Sequence, residues 1–165
     1  MTDSPSRTGD TRLAIDPGAL AGDAHLVFIG RVHSVWDQTQ SVPKNPTAAR
    51  QTGTPATLTI DAPYRAGLAG LEGTSHIIVV AWLHRAARDI IQLHPAHVSA
   101  PRGVFALRSP VRPNPIGISV ARVIALDADA GRITVDAIDF LDGTPLIDIK
   151  PYRPGIDSVP DAVVG

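Results

Sequence analysis

The chain contains no cysteine and few aromatic residues. The absence of cysteine excludes disulfides, thiolate metal sites and a thiol nucleophile. Because aromatic residues make up only 4% of the chain, the core must consist mainly of Val, Ile, Leu and Ala. No stretch approaches the roughly 20 consecutive apolar residues that a membrane helix needs, so we expect no membrane association.

Several common functional motifs are also missing. There is no Gly-x-Gly-x-x-Gly fingerprint, no P-loop and no Gly-x-Ser-x-Gly elbow, which argues against a Rossmann methyltransferase and a serine hydrolase. His94 and His97 are close in sequence but lack an evident third ligand, so we expect no metal site. Residues 1–23 lack the apolar segment of a signal peptide, and we therefore expect a cytoplasmic protein.

The chain of 165 residues has the length of one ordinary domain. Residues 1–23, rich in Ser, Thr, Gly, Pro and Asp, predict a flexible N-terminal extension, and residues 24–165 predict one folded domain. Within the domain, residues 42–54 read as a loop and residues 64–71 as one or two helical turns. Residues 88–94 fit either a further strand or a short helix. The apolar, β-branched composition predicts strands over residues 26–33, 56–60, 76–84, 103–107, 116–126, 132–138 and 146–149.

These strands predict an all-β fold with little helix. The most apolar segment, residues 76–84, is predicted to be a strand buried on both faces. A tight turn at residues 129–131 predicts a hairpin between the two strands that flank it. Since no long helices alternate with the strands, the best architecture is a single-sheet antiparallel β-barrel with short helical turns.

Charge is distributed unevenly although the net charge is only −1. Residues 84–112 are strongly basic, whereas residues 127–161 contain eight aspartates against three basic residues. This arrangement suits a site for a zwitterion, or for an anionic substrate beside a cationic cofactor. The alternative is that two solvated faces of opposite charge simply pair in the fold.

The most unusual segment is Arg108-Ser-Pro-Val-Arg-Pro-Asn-Pro-Ile-Gly117. Its three prolines fix the backbone and remove three hydrogen-bond donors, so the loop is stiff. Arg108 and Arg112 project from this loop, and a guanidinium is suited to bidentate binding of carboxylate or phosphate. The alternative is a proline-rich turn with ordinary surface arginines.

Carboxylates dominate the second informative segment, Ile138-Asp-Phe-Leu-Asp-Gly-Thr-Pro145. Asp139 and Asp142 are able to accept hydrogen bonds from ribose hydroxyls or an amino group, or Asp142 forms an Asx turn between two strands. Further along, Asp148 and Lys150 share one face of a predicted strand, where they form either part of a site or a surface ion pair.

Together these segments resemble the TrmO family, also called TsaA-like or YaeB-like proteins. The resemblance covers residues 26–158 in the order of the family. The blocks that carry it are Ile29-Gly-Arg-Val-His-Ser34, Gly70-Leu-Glu-Gly73 with Ser75-His76, residues 101–117, and Leu141-Asp-Gly-Thr-Pro-Leu-Ile-Asp-Ile-Lys-Pro-Tyr152. The resemblance implies a homodimeric barrel that binds S-adenosylmethionine near the subunit interface and methylates N6 of threonylcarbamoyladenosine beside the tRNA anticodon.

The resemblance also implies a set of site residues. The expected cofactor-binding residues are Pro43, Lys44, Asn45, His84, Arg85, Arg108, Ile118, Ile138, Asp139, Phe140 and Leu141. The expected substrate-binding residues are Arg112, Asn114, Thr144, Lys150 and Tyr152, and the candidate catalytic residues are Asp139, Asp142 and His84.

This sequence departs from the family pattern at three points. Pro43-Lys-Asn-Pro-Thr47 replaces a more basic, glycine-containing loop, and Thr74 replaces the aromatic residue that commonly precedes Ser-His. We also expect the C-terminal domain of longer members to be missing. Two alternatives to tRNA methylation therefore stay open. One is methylation of a small molecule, and the other is a non-enzymatic module that binds S-adenosylmethionine.

Overall fold

The computed structural model describes Gly9 and residues 11–14, 25–39, 41–94 and 100–163. Most of the predicted N-terminal extension and His97 therefore lie outside the described residues. Within the extension, Thr11–Arg12 form a short strand, β1. In the described part of the chain, no helix is both long and apolar enough to cross a membrane.

The described residues form nine strands and a few short helices. The strands after β1 are β2 (Gly30–His33), β3 (Ala56–Ile60), β4 (His76–Trp82), β5 (Ile90–Leu93), β6 (Arg102–Gly103), β7 (Ile116–Asp127), β8 (Arg132–Val135) and β9 (Pro145–Pro151). The α-helices are α1 (Pro46–Gln51) and α2 (Pro154–Asp157), and 3-10 helices span Ala62–Leu68 and Val104–Ala106.

Six strands close into a barrel in the order β2-β3-β8-β7-β4-β9, with β9 pairing back to β2. Every neighbouring pair is antiparallel, which confirms the predicted architecture. The long strand β7 pairs with β4 through its first half and with β8 through its second half. The predicted hairpin is therefore present.

The barrel interior is aliphatic, as the scarcity of aromatic residues required. In β4, Ile77, Val79 and Ala81 are fully buried, whereas the alternate residues are only partly buried. The prediction of a strand buried on both faces was therefore wrong. A single closed sheet has one interior, and an apolar run does not reveal whether its second face is covered.

A small three-stranded sheet, in the order β1-β5-β6, stands beside the barrel. It has its own apolar cluster of Ala87, Ile90 and Val111, with Leu93 packed against them. The strand over Ile90–Leu93 resolves the alternative that the sequence left open for residues 88–94. Because Val111 belongs to this cluster, the small sheet supports the proline-rich loop.

Two local predictions were wrong. Residues 42–54 contain α1, which has Pro46 at its first turn and the side chain of Asn45 as N-cap. Residues 103–107 are mainly the 3-10 helix Val104–Ala106 and not a strand. In that helix Val104 is buried, whereas Phe105 is 80% exposed, so the apolar composition did not signal pairing.

Candidate functional site

A cavity of about 410 Å³ lies beside the N-terminal end of β7 and the C-terminal end of β4. This volume falls within the range of about 300–1,000 Å³ that is typical of small-molecule sites. The lining residues come from five segments of the chain, namely Thr39 with 42–46, 83–86, 107–110 with Arg112, 116–118, and 139–141 with Thr144. The proline-rich loop and the segment 138–145 therefore contribute to one cavity, although the Asp142-Gly143 turn itself does not line it.

The segment 138–142 is fixed by hydrogen bonds from a distant part of the chain. Ser34 Oγ donates to the carbonyl of Phe140 at 2.9 Å, and Trp36 Nε1 donates to the carbonyl of Ile138 at 2.9 Å. The backbone N–H of Asp142 donates in return to the carbonyl of Trp36 at 2.7 Å. These three bonds hold the Asp139-bearing wall in place. Sequence analysis gave Ser34 and Trp36 no role, although Ser34 ends one of the blocks that carry the family resemblance.

Asp139 is the acidic group of the cavity. Its Oδ1 is buried and, among the described residues, has no hydrogen-bond partner. Burial raises the pKa of Asp139, while the nearby Ser119 hydroxyl and the positive charges of Arg108 and Arg50 act in the opposite direction. Ser119 Oγ is likewise buried and has no hydrogen-bond partner in the described part of the chain. A hydrogen-bond donor on a bound ligand would satisfy the buried Oδ1 of this carboxylate.

His84 lines the same cavity at an exposed position. Partial burial lowers the pKa of His84, and the positive charges of Arg85 and Arg31 lower it further. The backbone N–H of His84 donates to the carbonyl of Trp82 at 2.8 Å, and this bond fixes the backbone at the end of β4. A lowered pKa favours the neutral imidazole, which is able to accept a proton.

The two arginines of the proline-rich loop have different environments. Arg112 donates from Nε to the carbonyl of Ser109 at 2.9 Å and from Nη2 to the carbonyls of Val104 and Leu107. Arg108 donates one bond, from Nη2 to the carbonyl of Ile118 at 3.1 Å, and its side chain is otherwise exposed. Arg112 therefore holds the loop together, while Arg108 keeps donors for a ligand.

The opposite wall comes from the loop before α1. Pro43, Lys44 and Asn45 all line the cavity. Asn45 Oδ1 accepts a hydrogen bond from the N–H of Ala48 at 2.8 Å, so its side chain is used as the helix cap. Lys44 is exposed and contributes a positive charge at the cavity mouth.

The apolar part of the wall includes Leu83, Phe140 and Gly117. A Cβ at position 117 would lie 2.9 Å from Leu83 Cδ2 and 2.9 Å from Phe140 Cε1. Only glycine therefore leaves these two side chains where they are. Leu83 and Gly117 were not among the predicted site residues, although Gly117 ends the proline-rich block.

Most of the predicted site residues line the cavity, but five do not. Ile138 is 1% exposed and lies in the barrel core. Asp142 is outside the cavity and accepts a hydrogen bond from the N–H of Ser34 at 3.1 Å. Lys150 forms a 2.7 Å ion pair with Asp148, which is the surface ion pair that the spacing of these two residues allowed. The other two predicted residues that the cavity does not include are Asn114 and Tyr152.

No metal centre is evident at the site. Across the residues that the structure describes, no group of three or more His, Asp or Glu side chains converges.

A closed antiparallel barrel with a cavity of this size, lined by both charged and apolar residues, is typical of a protein that binds a small ligand. The family model described as the tRNA-methyltransferase O N-terminal domain matches residues 31–158. The chain therefore belongs to the TrmO family, as the sequence blocks indicated.

Individual relatives support this assignment. The chain is 40% identical over 147 residues to the "Probable S-adenosyl-L-methionine-binding protein VirR" of Rhizobium radiobacter, covering 87% of this chain and 81% of VirR. It is 46% identical over 96 residues to an S-adenosyl-L-methionine-binding protein of Archaeoglobus fulgidus, covering 58% and 68% of the two chains.

Solved structures agree with the fold. The crystal structure of TrmO from Pseudomonas aeruginosa superposes with a TM-score of 0.68 at 35% identity, and a second TrmO crystal structure with 0.71 at 35% identity. In both comparisons 86% of this chain is covered. The chain spans only 62% and 63% of those two structures.

Proposed function

We propose that this chain is an S-adenosylmethionine-dependent methyltransferase that acts on N6 of threonylcarbamoyladenosine in tRNA. The observation that carries the proposal is the half-buried Asp139, whose Oδ1 has no hydrogen-bond partner among the described residues, at a cavity that Arg108 also lines. A carboxylate and a guanidinium at one small cavity suit a zwitterionic ligand. The relatives that are named as S-adenosylmethionine-binding proteins supply the identity of that ligand.

The residues around the cavity fit this cofactor, which combines an ammonium, a carboxylate, a sulfonium and an adenosine. Asp139 offers an acceptor for the ammonium or for a ribose hydroxyl. Arg108 offers guanidinium donors for the carboxylate. Leu83 and Phe140 offer an apolar wall for the adenine ring.

When bound, S-adenosylmethionine supplies a methyl group on a positively charged sulfur, already activated for in-line displacement. The task of the protein is alignment, and a near-attack arrangement of two reactants contributes about 7–11 kcal/mol. The bonds from Ser34 and Trp36 fix one wall of the cavity, and the bonds from Arg112 fix another. Both walls are therefore organised before any ligand binds.

We assign the proton acceptor to His84 and the holding of the cofactor to Asp139. The acceptor nitrogen carries a carbamoyl group and is a poor nucleophile, so removal of its proton assists the transfer. The lowered pKa of His84 favours its neutral, proton-accepting form, and its exposed position leaves it accessible to an acceptor. Asp142 keeps its contact with Ser34 and takes no part.

The test is methyl transfer to tRNA that carries threonylcarbamoyladenosine. We expect mass spectrometry of the digested tRNA to reveal the methylated nucleoside, and tRNA without the threonylcarbamoyl group to give none. Arg108→Ala should weaken cofactor binding in calorimetry. Tight cofactor binding with no methylated nucleoside would eliminate the tRNA substrate.

A second candidate function is binding of S-adenosylmethionine without catalysis. The names of VirR and the Archaeoglobus fulgidus relative, which describe binding only, favour it. Such a protein would bind the cofactor and never consume it, with tRNA or with any small-molecule acceptor. A turnover assay with labelled cofactor separates the candidates.

We also propose that the chain works as a homodimer. Ile116 and Ile118 line the cavity yet are 39% and 50% exposed, which supports a second copy that covers the cavity mouth. Sedimentation equilibrium tests this, and Ile118→Glu should shift the protein toward the monomer.

A further inference from the structure

A second cleft, of about 420 Å³, lies on the barrel wall and shares no lining residue with the cofactor cavity. We call it the arginine cleft, and it is lined by Arg50, Gly53, Pro55, Arg122, Ile124 and Asp136. None of these residues lines the first cavity, and none was singled out as a candidate functional residue by the sequence.

The arginine cleft carries one more positive than negative charge. Asp136 Oδ2 lies 3.3 Å from Arg50 Nε and 3.9 Å from Arg122 Nε. Asp136 Oδ1 already accepts the backbone N–H groups of Arg122 and Ala137, at 2.8 and 3.0 Å. A single carboxylate, which already accepts two backbone N–H groups, therefore faces two guanidinium groups.

Arg122 is the cation with capacity for a ligand. Its side chain is 60% exposed, and among the described residues its guanidinium makes only the long ion pair to Asp136. Arg50 is more committed, because it also donates to the carbonyl of Val120. A rigid Arg50 beside an open Arg122 forms a fork for a tetrahedral anion such as phosphate.

Two elements connect the arginine cleft with the cofactor cavity. Helix α1 contributes Pro46 to the cavity and Arg50 to the cleft. Strand β7 contributes Ile118 to the cavity and Arg122 to the cleft, four residues apart or about 13 Å along a strand. A phosphate in the cleft would therefore belong to a chain that extends beyond a nucleotide reacting at the cavity.

We propose that the arginine cleft binds a backbone phosphate of the nucleic-acid acceptor and so sets the position of that acceptor on the barrel. This inference rests on the proposed tRNA substrate and deepens it. It also separates the tRNA substrate from a small-molecule acceptor, which has no phosphate at this distance.

The test compares two arginines of equal exposure. Arg122→Gln removes the open cation of the cleft, whereas Arg132→Gln removes an arginine that is 59% exposed and already paired with Asp127 at 2.7 Å. Both changes alter the net charge equally. The probe is a synthetic anticodon stem-loop RNA, whose dissociation constant is measured at several salt concentrations, with melting curves to verify folding.

Loss of one phosphate contact lowers the salt slope of log K by about 0.7–0.9. A fourfold rise in salt should therefore weaken binding to the wild type about threefold more than binding to Arg122→Gln. Arg132→Gln should retain the wild-type slope. Asp136→Asn raises the local charge by one and keeps an acceptor for the two N–H groups, so it should tighten RNA binding and steepen the slope.

Equal changes in the two arginine variants would overturn the inference, because they would reflect net charge alone. Absence of salt-dependent RNA binding by a wild-type protein that still binds S-adenosylmethionine would overturn the inference and the tRNA substrate together. A slope change confined to Arg122→Gln, in a protein that fails to bind S-adenosylmethionine, would support the cleft and refute the proposed cofactor role.

Discussion

Asp139→Asn is the sharpest test of the cofactor cavity, because it should alter ligand binding and stability in opposite directions. The substitution keeps the shape of the side chain and removes its charge. In the wild type, Oδ1 is buried without a partner in the described part of the chain. The carboxylate therefore costs stability when the cavity is empty and contributes affinity when a ligand donor reaches it.

The expected loss of affinity follows from the charge. A hydrogen bond to a charged group contributes about 1.5–3 kcal/mol, so the dissociation constant for S-adenosylmethionine should rise roughly 10- to 150-fold. Isothermal titration calorimetry measures this directly. The matched control is Asp142→Asn, whose side chain is 50% exposed outside the cavity and should change affinity by less than about 0.5 kcal/mol.

The expected change in stability has the opposite sign and depends on pH. Burial raises the folded-state pKa of Asp139 above 3.8, so ionisation costs stability as the pH rises through that folded value. Asp139→Asn removes this cost and should be more stable than the wild type by about 1 kcal/mol at pH 7. Near pH 3.8 and below, where the wild-type carboxyl is protonated, the difference should shrink.

Urea denaturation at the two pH values tests the stability arm without any ligand. A variant that binds the cofactor as tightly as the wild type would refute the role of Asp139 in binding. A variant that is less stable than the wild type at pH 7 would refute the argument that the buried charge is unsatisfied.

Three further predictions concern other walls of the cavity. Burial and neighbouring arginines lower the pKa of His84, so the acid limb of the pH profile of kcat/KM for methyl transfer should lie below pH 6.5. This limb should disappear in His84→Gln. An acid limb above pH 6.5 would contradict the assignment of His84 as proton acceptor. Arg112→Lys should lose about 2 kcal/mol of unfolding free energy, measured in urea, because lysine cannot span the three loop carbonyls; an unchanged midpoint would contradict the clamp. Gly117→Ala should displace Leu83 and Phe140 at a cost of about 1–3 kcal/mol and weaken cofactor binding in calorimetry, and unaltered affinity would show that the cavity wall adapts.

The barrel was predictable because its strands are short, β-branched and separated by turn residues. The turn residues from Asp129 to Gly131 predicted the hairpin of β7 and β8, and these strands are paired in the structure. Helix α1 was missed although Asn45 and Pro46 form a recognised start signal. A helix of six residues is too short for an apolar period to emerge, so the surrounding prolines dominated the interpretation.

The candidate site was only partly predictable, since its residues converge through contacts that sequence spacing does not encode. Trp36 and Ile138 are 102 positions apart, yet one hydrogen bond between them fixes a cavity wall. Arg108 and Arg112 are alike in sequence, and only the fold reveals that Arg112 turns toward its own loop. Lys150 was assigned to the pocket from the family resemblance, but its neighbour Asp148 holds it at the surface.

The walls of the cavity share one design, in which side chains bind backbone groups instead of each other. Ser34 and Trp36 hold the Asp139 segment, Arg112 holds the proline-rich loop, and Asn45 caps α1. Such bonds fix backbone position, and Asp139 and Arg108 form no ion pair in the described part of the chain. A rigid arrangement of unpaired charges limits the entropy lost on binding. These charges therefore lower the stability of the empty protein and increase its affinity for a charged ligand. Weakening any of these bonds should therefore reduce alignment of the reactants. The bonds to Ile138 and Phe140 also anchor the barrel core, because both residues belong to it.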